Sequence, residues 1–235
     1  MKIVGLQKLT LLDFPGKVAC TVFLGGCNFR CPFCHNSDLL DGKAEALMDD
    51  AAFLDFLKKR TGLLDAVCVS GGEPTLQPEL PHFLKRIKDL GFLVKLDTNG
   101  YRPEVLRSLA ESGLVDYVAM DVKNGPAHYA ATAGYCGIDL DRIARSLRFL
   151  MEGNLPYEFR TTVVTELHSE ASILEMGQWL ARLAAPKKPE QLFLQCFTDR
   201  DSVLQEGLHA PQRETLEKYV EILTPYVGKI ALRGI

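Results

Sequence analysis

Three closely spaced cysteines, Cys27, Cys31 and Cys34, are the clearest chemical signal in this chain of 235 residues. Their C-x3-C-x2-C spacing allows three thiolates to converge on one inorganic centre, and a Gly-Gly pair directly before them permits a tight turn. Iron–sulfur clusters and structural zinc sites typically take four protein ligands, whereas this loop, residues 25–36, supplies three thiolates. An iron without a protein thiolate is an open coordination position. The loop therefore predicts a catalytic iron–sulfur cluster.

A zinc site completed by His35 is the alternative interpretation of the same loop. We favour the cluster, because a zinc site with three Cys and one His usually takes its ligands from two separated segments. Elsewhere, Cys20, Cys68 and Cys196 lie within apolar runs, and we expect them to be small buried hydrophobic residues. Cys136 lies in a loop and has no partner at metal-ligand spacing.

Composition and charge exclude several classes of protein. With 27 basic and 30 acidic residues and a net charge of −3, the chain gives no sign of a nucleic-acid-binding surface. Residues 1–17 lack the apolar core of a signal peptide, and no later run is long and apolar enough to cross a membrane. We therefore expect a cytoplasmic protein with no membrane partner. Hydrophobic residues make up 47% of the chain, enough to bury the core of one domain spanning 1–235.

Short apolar runs alternate with longer amphipathic segments along the whole chain. The predicted strands are 18–24, 66–70, 93–97, 117–122, 157–164 and 191–197, with a further edge strand at 229–234. The predicted helices are 49–60, 78–91, 103–113, 139–153 and 171–184, and 185–190 reads as a surface loop. Strands that are apolar on both faces and joined by helices indicate a parallel sheet. Because only six such units occur, we expect an α/β fold, an open partial (β/α)6 barrel with mostly parallel strands.

Polar or glycine-rich sequence follows the predicted strands at their carboxyl ends. The cysteine loop follows the first strand, GGEP (71–74) the second, TNG (98–100) the third, and Lys123 with its neighbours the fourth. In barrels of parallel strands the reactive groups gather at this end. The sequence therefore predicts one functional site at the carboxyl edge of the sheet.

These motifs resemble those of the radical S-adenosylmethionine superfamily. The resemblance rests on the cysteine spacing with Phe33 before the third cysteine, and on GGEP after the next strand. Over residues 9–36, LTLLDFPGKVACTVFLGGCNFRCPFCHN, the chain is similar to activating enzymes of glycyl-radical enzymes, above all those acting on anaerobic ribonucleoside-triphosphate reductase. The resemblance is strongest through residue 125 and covers most of the chain.

The resemblance implies two cofactors, one [4Fe-4S] cluster and S-adenosylmethionine, with a monovalent cation as a further candidate. It implies reductive cleavage of S-adenosylmethionine to a 5′-deoxyadenosyl radical, which then takes a hydrogen atom from a glycine of a partner enzyme. An electron donor such as flavodoxin would reduce the cluster. Only 37 positions separate Cys34 from Gly71 (71 − 34), so there is no room for a domain with an auxiliary cluster.

The resemblance also implies roles for particular residues. Phe33 would lie along the adenine, the backbone of the GGEP turn would hold the amino group, and Glu73 would add acceptor capacity for it. Lys123 is a candidate catalytic residue beside the three cysteines. The full set of candidate cofactor-binding residues is Phe33, Gly71, Gly72, Glu73, Pro74, Asp97, Thr98, Asn99, Asp121, Lys123 and Arg160.

Structural alternatives remain for several of these residues. GGEP is also an ordinary turn, the strand-end aspartates could form ion pairs with lysines, and Arg160 could join its strand to a neighbour. Related activators use a His near the sixth strand end, whereas this chain has Thr198 or Asp199 there. Two other functions also remain open: a radical enzyme acting on a small molecule, similar to 7-carboxy-7-deazaguanine synthase, and a non-catalytic metal or electron-transfer module.

Overall fold

The computed structural model describes residues 1–235, which form two compact units. The first unit comprises Met1–Asn28 and Asp38–Ala119, and the second comprises Phe29–Ser37 and Met120–Ile235. Nine strands form one mostly parallel sheet in the order β3-β1-β2-β4-β5-β6-β7-β8-β9, with β3 and β9 as its two unjoined ends. This arrangement confirms the predicted α/β class and the open, partial barrel.

The strands lie close to their predicted positions. Their bounds are β1 Lys2–Thr10, β2 Ala19–Leu24, β3 Met48–Asp49, β4 Ala66–Gly71, β5 Leu93–Thr98, β6 Tyr117–Asp121, β7 Tyr157–Val163, β8 Gln191–Cys196 and β9 Lys229–Arg233. All seven predicted strands are present, each within one residue of its predicted ends. The two that were not predicted, β1 and β3, pair antiparallel, β1 with β2 and β3 with β1.

Seven α-helices connect or flank the strands. They are α1 Asp50–Lys58, α2 Leu80–Asp89, α3 Pro103–Glu111, α4 Pro126–Ala133, α5 Leu140–Glu152, α6 Glu170–Ala184 and α7 Arg213–Leu223. Short 3-10 turns occur at Ser37–Leu39 and Pro74–Leu76. Side chains cap several helices: Asp49 accepts from Ala52 N at the start of α1, and Ser169 and Ser172 form a capping box at α6. The five predicted helices are confirmed, while α4 and α7 were not predicted.

In the first unit, β2, β4 and β5 are parallel neighbours. Ala19 pairs with Ala66, and Ala66 with Leu93, so the three strands start level and also end close together. Most buried residues of these strands are apolar, as expected for a parallel sheet covered by helices. The carboxyl ends of β2 and β4, at Leu24 and Gly71, therefore present their following loops at one edge of the sheet.

In the second unit, β7, β8 and β9 are likewise parallel neighbours. Helix α4 begins at Pro126, whose ring suits the first turn, and ends at Gly134 in the left-handed conformation (φ 61°). The segment 185–190 is a loop, as predicted. No helix of the protein has the length and apolar character needed to span a membrane.

The cysteines outside the cluster loop are free thiols. Cys20 and Cys68 are fully buried in β2 and β4, as predicted, and burial raises the pKa of each to about 12. The same prediction is wrong for Cys196, which is only half-buried. Cys196 is the last residue of β8, and the next strand, β9, is the edge of the sheet. An apolar sequence near a sheet edge does not by itself ensure burial. Cys136 is exposed.

Candidate functional site

In the first unit, the segment 25–28 after β2 is held by backbone hydrogen bonds. Gly26 N donates to the carbonyl of Leu39 at 2.6 Å, and Cys27 N donates to that of Leu40 at 3.0 Å. The side chain of Gln77 donates to Gly25 O at 2.8 Å. The backbone that carries Cys27 is therefore fixed from both sides.

The glycines of GGEP pack directly against this segment. Gly72 N donates to Leu24 O and Glu73 N to Gly26 O, each at 2.8 Å. A Cβ atom on Gly72 would lie 2.1 Å from Gly26 O, and one on Gly71 would lie 2.2 Å from Leu24 O. Since real Cβ contacts are never so short, only glycine allows this approach. The structure thus assigns the two glycines to backbone packing against the loop that leads to Cys27.

The side chain of Glu73 is almost fully buried (1% exposed) and accepts four hydrogen bonds. Oε1 accepts from Thr75 N at 3.0 Å, from Thr75 Oγ1 at 2.5 Å and from Thr98 Oγ1 at 2.8 Å. Oε2 accepts from Asn99 N at 2.7 Å. Burial raises the pKa of Glu73, and these donors oppose the shift. The carboxylate joins the GGEP turn to the end of β5.

Asp97, at the end of β5, forms the ion pair with a lysine that was the structural alternative for it, although its partner, Lys95, was not predicted. Lys95, only 1% exposed, donates to Asp97 Oδ1, while Ser70 Oγ donates to Oδ2 at 3.2 Å. Residues two apart on a strand share a face, which is why Lys95 reaches Asp97. The signal was present as a lone lysine in an apolar run, because a buried ammonium requires a partner.

In the second unit, the segment 29–37, which carries Cys31 and Cys34, is held at the end of α4. The carbonyl of Ala133 accepts from Arg30 N at 3.0 Å and from Cys31 Sγ at 3.6 Å. A Cβ on Gly134 would lie 2.0 Å from Arg30 O, so this contact also depends on glycine. Cys34 N donates to Cys31 O at 3.0 Å.

Burial raises the pKa of both thiols in this segment, and the positive charge of Lys123 partly offsets the shift. Metal binding to Cys31 and Cys34 must therefore displace protons, which a high-charge iron centre does readily.

Asp121, at the end of β6, lies between two cationic side chains. Lys123 Nζ is 2.9 Å from Oδ2, and Arg160 Nε is 3.0 Å from Oδ1. Burial opposes ionisation of this carboxyl, but the two cations outweigh it and lower the pKa of Asp121 to about 2. Burial likewise opposes the charge of Lys123, and Asp121 outweighs it, so the pKa of Lys123 is raised. Two structural alternatives from the sequence analysis are thus present: Asp121 forms an ion pair with Lys123, and Arg160 links β7 to β6 through its ion pair with Asp121.

The Lys123 ammonium also lies 5.8 Å from the ring centroid of Phe33, within the range of a cation–π contact. Phe33 is buried, at 5% exposed. The structure therefore brings Phe33, Cys31, Asp121, Lys123 and Arg160 into one charged cluster of the second unit.

His35 makes contacts that leave little room for a zinc role. Its Nε2 lies 2.7 Å from Thr198 O, and its ring stacks on Phe197 at a centroid distance of 5.6 Å. No group of three or more His, Cys, Asp or Glu side chains is arranged to hold a single metal ion. A preformed zinc site with His35 therefore finds no support, and the three cysteines are assigned by spacing and thiol chemistry rather than by a ready-made cage. Thr198 and Asp199 are both exposed.

Two functional candidates besides Lys95 were missed in the sequence. His168 is buried, accepts from Val164 N through Nδ1 at 3.1 Å, and contacts Lys123 O through Nε2 at 3.0 Å, so it holds the backbone that carries Lys123. Asn28, directly after Cys27, accepts from Asn99 Nδ2 at 2.9 Å. Neither had a distinctive sequence signal, because each gains its partners from distant positions.

The fold and the cysteine loop together define a radical enzyme, and comparison with known proteins agrees. The family model described as the Radical SAM superfamily matches residues 21–179. This stretch includes the cysteine loop, GGEP and both strand-end aspartates. The chain belongs to the radical S-adenosylmethionine superfamily, whose members bind a [4Fe-4S] cluster and S-adenosylmethionine, and it is an enzyme.

Three relatives with assigned names are similar to this chain over most of its length. A Methanocaldococcus jannaschii protein named as a glycyl-radical enzyme activating enzyme is 31% identical over 98% of this chain and 95% of its own length. The pyruvate formate-lyase 1-activating enzyme of Escherichia coli K12 is 27% identical over 97% of each chain. The 7-carboxy-7-deazaguanine synthase of Thermococcus kodakarensis is 30% identical over 69% of this chain and 68% of its own.

A solved structure shares the fold. Streptococcus suis SuiB, bound to its precursor peptide SuiA, superimposes with a TM-score of 0.69 and 14% identity. The match covers 91% of this chain and 48% of SuiB, so this chain spans about half of that protein.

The side chains of the cysteine loop are of the kind that binds an iron–sulfur cluster, because thiolates are its usual protein ligands. Three thiols lie within eight positions of one loop, both ends of which are held by backbone contacts. The second unit supplies a cation, Lys123, whose field favours the thiolate form of Cys31. The buried side-chain Nδ2 of Asn28, the residue after Cys27, has no hydrogen-bond partner in the protein.

Proposed function

We propose that this protein activates a glycyl-radical enzyme, with Cys27, Cys31 and Cys34 as the three protein ligands of one [4Fe-4S] cluster. The observation that carries the proposal is the 31% identity to a named activating enzyme over nearly the whole of both chains. We propose further that the partner is the anaerobic ribonucleoside-triphosphate reductase, because residues 9–36 resemble its activators in particular.

The first unit supplies a fixed backbone for the cofactors. Gly71 and Gly72 hold the segment before Cys27 by close packing. We propose that the backbone of their turn accepts from the amino group of S-adenosylmethionine. Glu73, whose oxygens already accept four donors, acts by ordering the turn and the start of the TNG segment. Pro74 continues this turn. We propose that Asp97 and Thr98 of β5, with the following Asn99, also line the binding site for S-adenosylmethionine.

The second unit supplies the charged side chains. Lys123 and Arg160 hold Asp121 ionised, and the ammonium of Lys123 lies near Phe33. We propose that the Phe33 ring lies along the adenine of S-adenosylmethionine. We propose that Lys123 stabilises negative charge on the bound cofactors. Asp97 and Asp121 are the candidates for a monovalent cation, although each already has a cationic side chain as its partner.

Held by Cys27, Cys31 and Cys34, a singly reduced cluster would supply the electron for cleavage of S-adenosylmethionine to methionine and a 5′-deoxyadenosyl radical, which would take a Cα hydrogen atom from a glycine of the partner. A one-electron donor such as flavodoxin is proposed as the reductant. We place the reaction in the cytoplasm, where free thiols such as those of this chain stay reduced. We propose that residues 1–235 act as a single catalytic domain.

The test is anaerobic incubation of reconstituted protein with a reductant, S-adenosylmethionine and a candidate partner, followed by electron paramagnetic resonance. A doublet from a glycyl radical on the reductase supports the proposal, and Cys31→Ala protein is the matched control that should give none. Deoxyadenosine formation without a radical on any candidate glycyl-radical enzyme would contradict it.

A second candidate function is supported by the match to 7-carboxy-7-deazaguanine synthase. Under this alternative the substrate is a small molecule and no protein radical forms. The same experiment separates the two, because only the alternative predicts deoxyadenosine formation that depends on an added small-molecule substrate.

A further inference from the structure

The Nδ2 atom of Asn28 is the one buried side-chain polar atom without a hydrogen-bond partner. An asparagine amide offers two N–H donors at Nδ2 and an acceptor at Oδ1. Buried polar groups are nearly always paired, so a buried donor that the protein leaves unpaired points to an acceptor from outside the chain. Asn28 directly follows Cys27, the first proposed cluster ligand.

Neighbouring hydrogen bonds fix which way this amide points. Tyr101 N donates to Asn99 Oδ1 at 3.0 Å, so the other end of that amide, Nδ2, is the group that faces Asn28. Asn28 must meet this donor with its oxygen, and its Oδ1 accepts at 2.9 Å. Turning the Asn28 amide over would place two NH2 groups against each other. Its own Nδ2 is therefore the unpaired donor.

Asn99 is itself held firmly. Its backbone N donates to Glu73 Oε2 at 2.7 Å, and Asn99 is buried at 6% exposed. The Asn28 amide is thus connected through Asn99 to the GGEP turn, and its donor is held in place before any ligand binds. Holding a donor in advance lowers the ordering cost of binding.

We infer that Asn28 donates a hydrogen bond from Nδ2 to an acceptor atom of the bound cofactors. Two sources offer such an acceptor: an inorganic sulfide of the cluster, or a carboxylate or ribose oxygen of S-adenosylmethionine. The inference rests on the proposed function, because it places the cluster beside Cys27. It makes Asn28 a cofactor-binding residue in addition to those that the sequence motifs indicate.

Two variants test the inference, Asn28→Asp and Asn28→Leu. The first keeps an oxygen that accepts from Asn99 and replaces the donor by a charged oxygen. The second removes both the donor and the acceptor without adding charge. Asn154→Asp, at an exposed position, is the control for added charge. Iron content and thermal unfolding of the apoprotein are measured first, then the cluster's midpoint potential without S-adenosylmethionine and the Kd for S-adenosylmethionine.

If the acceptor is a sulfide, both variants shift the potential to more negative values or lose iron from a folded apoprotein. If it is an oxygen of S-adenosylmethionine, the Kd rises about 10-fold or more at an unchanged potential, as for loss of a hydrogen bond to a charged group. Wild-type potential and Kd in both variants would overturn the inference. So would an Asn28→Asp apoprotein that no longer folds, because the amide would then serve the fold.

The proposed function has a separate readout. If fully loaded wild-type protein does not cleave S-adenosylmethionine, the proposed function fails irrespective of Asn28. If the wild type cleaves it and the Asn28 variants match the wild type in potential and Kd, only the Asn28 inference fails.

Discussion

The ammonium of Lys123 lies 2.9 Å from Oδ2 of Asp121, the last residue of β6, which precedes Lys123 by two positions. Both side chains are largely buried, at 13% and 30% exposed. The pair lowers the pKa of Asp121 to about 2 and raises that of Lys123, although burial acts against both charges. Both groups are therefore charged throughout the pH range in which the enzyme could work, and neither serves as a proton donor.

Lys123→Ala should leave iron content and the visible spectrum unchanged and slow cleavage of S-adenosylmethionine about 10-fold to 100-fold. The reason is that the proposed charge-assisted contact of Lys123 with the cofactors is lost, while the cysteines are untouched. The rate of 5′-deoxyadenosine formation measures it. Lys187→Ala, at an exposed position, is the control. A wild-type rate in the Lys123 variant would make its pairing with Asp121 purely structural.

Glu73→Gln should lower the free energy of unfolding by about 1–3 kcal/mol, because an NH2 group would replace one oxygen that now faces only donors. Denaturant unfolding of the apoprotein measures this loss. Glu79→Gln, exposed in the same unit, should be close to neutral. Equal stability of the Glu73 variant would mean that the four hydrogen bonds contribute nothing net.

Gly72→Ala should release the segment before Cys27, because its Cβ would lie 2.1 Å from Gly26 O. We expect the variant to bind well under half of the wild-type iron after anaerobic reconstitution. Gly137→Ala is the matched control, since its Cβ would meet only the Tyr135 ring at 3.8 Å. Full iron loading of the Gly72 variant would show that this close approach is dispensable.

His168 makes stability depend on pH. Burial lowers its pKa below the usual value of about 6.5, so the unfolded chain takes up a proton before the folded protein does. Stability from the neutral ring is therefore present above pH ~6.5 and is lost as the pH falls towards the folded pKa. His168→Gln should lower Tm at pH 7 yet show a smaller fall between pH 7 and pH 5 than the wild type.

His82→Gln, on the exposed face of α2, is the control for His168 and should keep the wild-type pH profile. Identical pH profiles for the wild type and the His168 variant would show that this histidine does not couple protonation to folding.

The strands were predictable because each is a short apolar run bounded by polar or glycine-rich sequence, as in β4 and β5. Strand β1 lacks that signature: it is an antiparallel strand whose residues 7–9 are all exposed. Helix α4, PAHYAATA, is short and has no amphipathic stripe. By contrast α7 buries Leu216, Tyr219 and Leu223, a helical spacing that could have been recognised.

The candidate site was predictable as a set of strand ends but not as a set of contacts. Glu73 follows β4, and Asp97 and Asp121 lie at the carboxyl ends of β5 and β6. Because the carboxyl ends of parallel strands share one edge of a sheet, the sequence predicts these residues at that edge. It does not indicate that Glu73 also accepts from donors 25 and 26 positions away, or that Lys95 pairs with Asp97. Those facts depend on register and side-chain packing, which strand patterns leave undetermined.

The central claim is that Cys27, Cys31 and Cys34 hold a cluster on which S-adenosylmethionine is cleaved. The most direct measurement is 5′-deoxyadenosine formation per iron by anaerobically reconstituted protein with a strong reductant, for the wild type, each single Cys→Ala variant, and Cys136→Ala as the exposed-cysteine control. The account predicts about four irons and steady product for the wild type and for Cys136→Ala. It predicts no product from any of the three loop variants. Product formation by a loop variant, or an air-stable single zinc in the wild type, would contradict it.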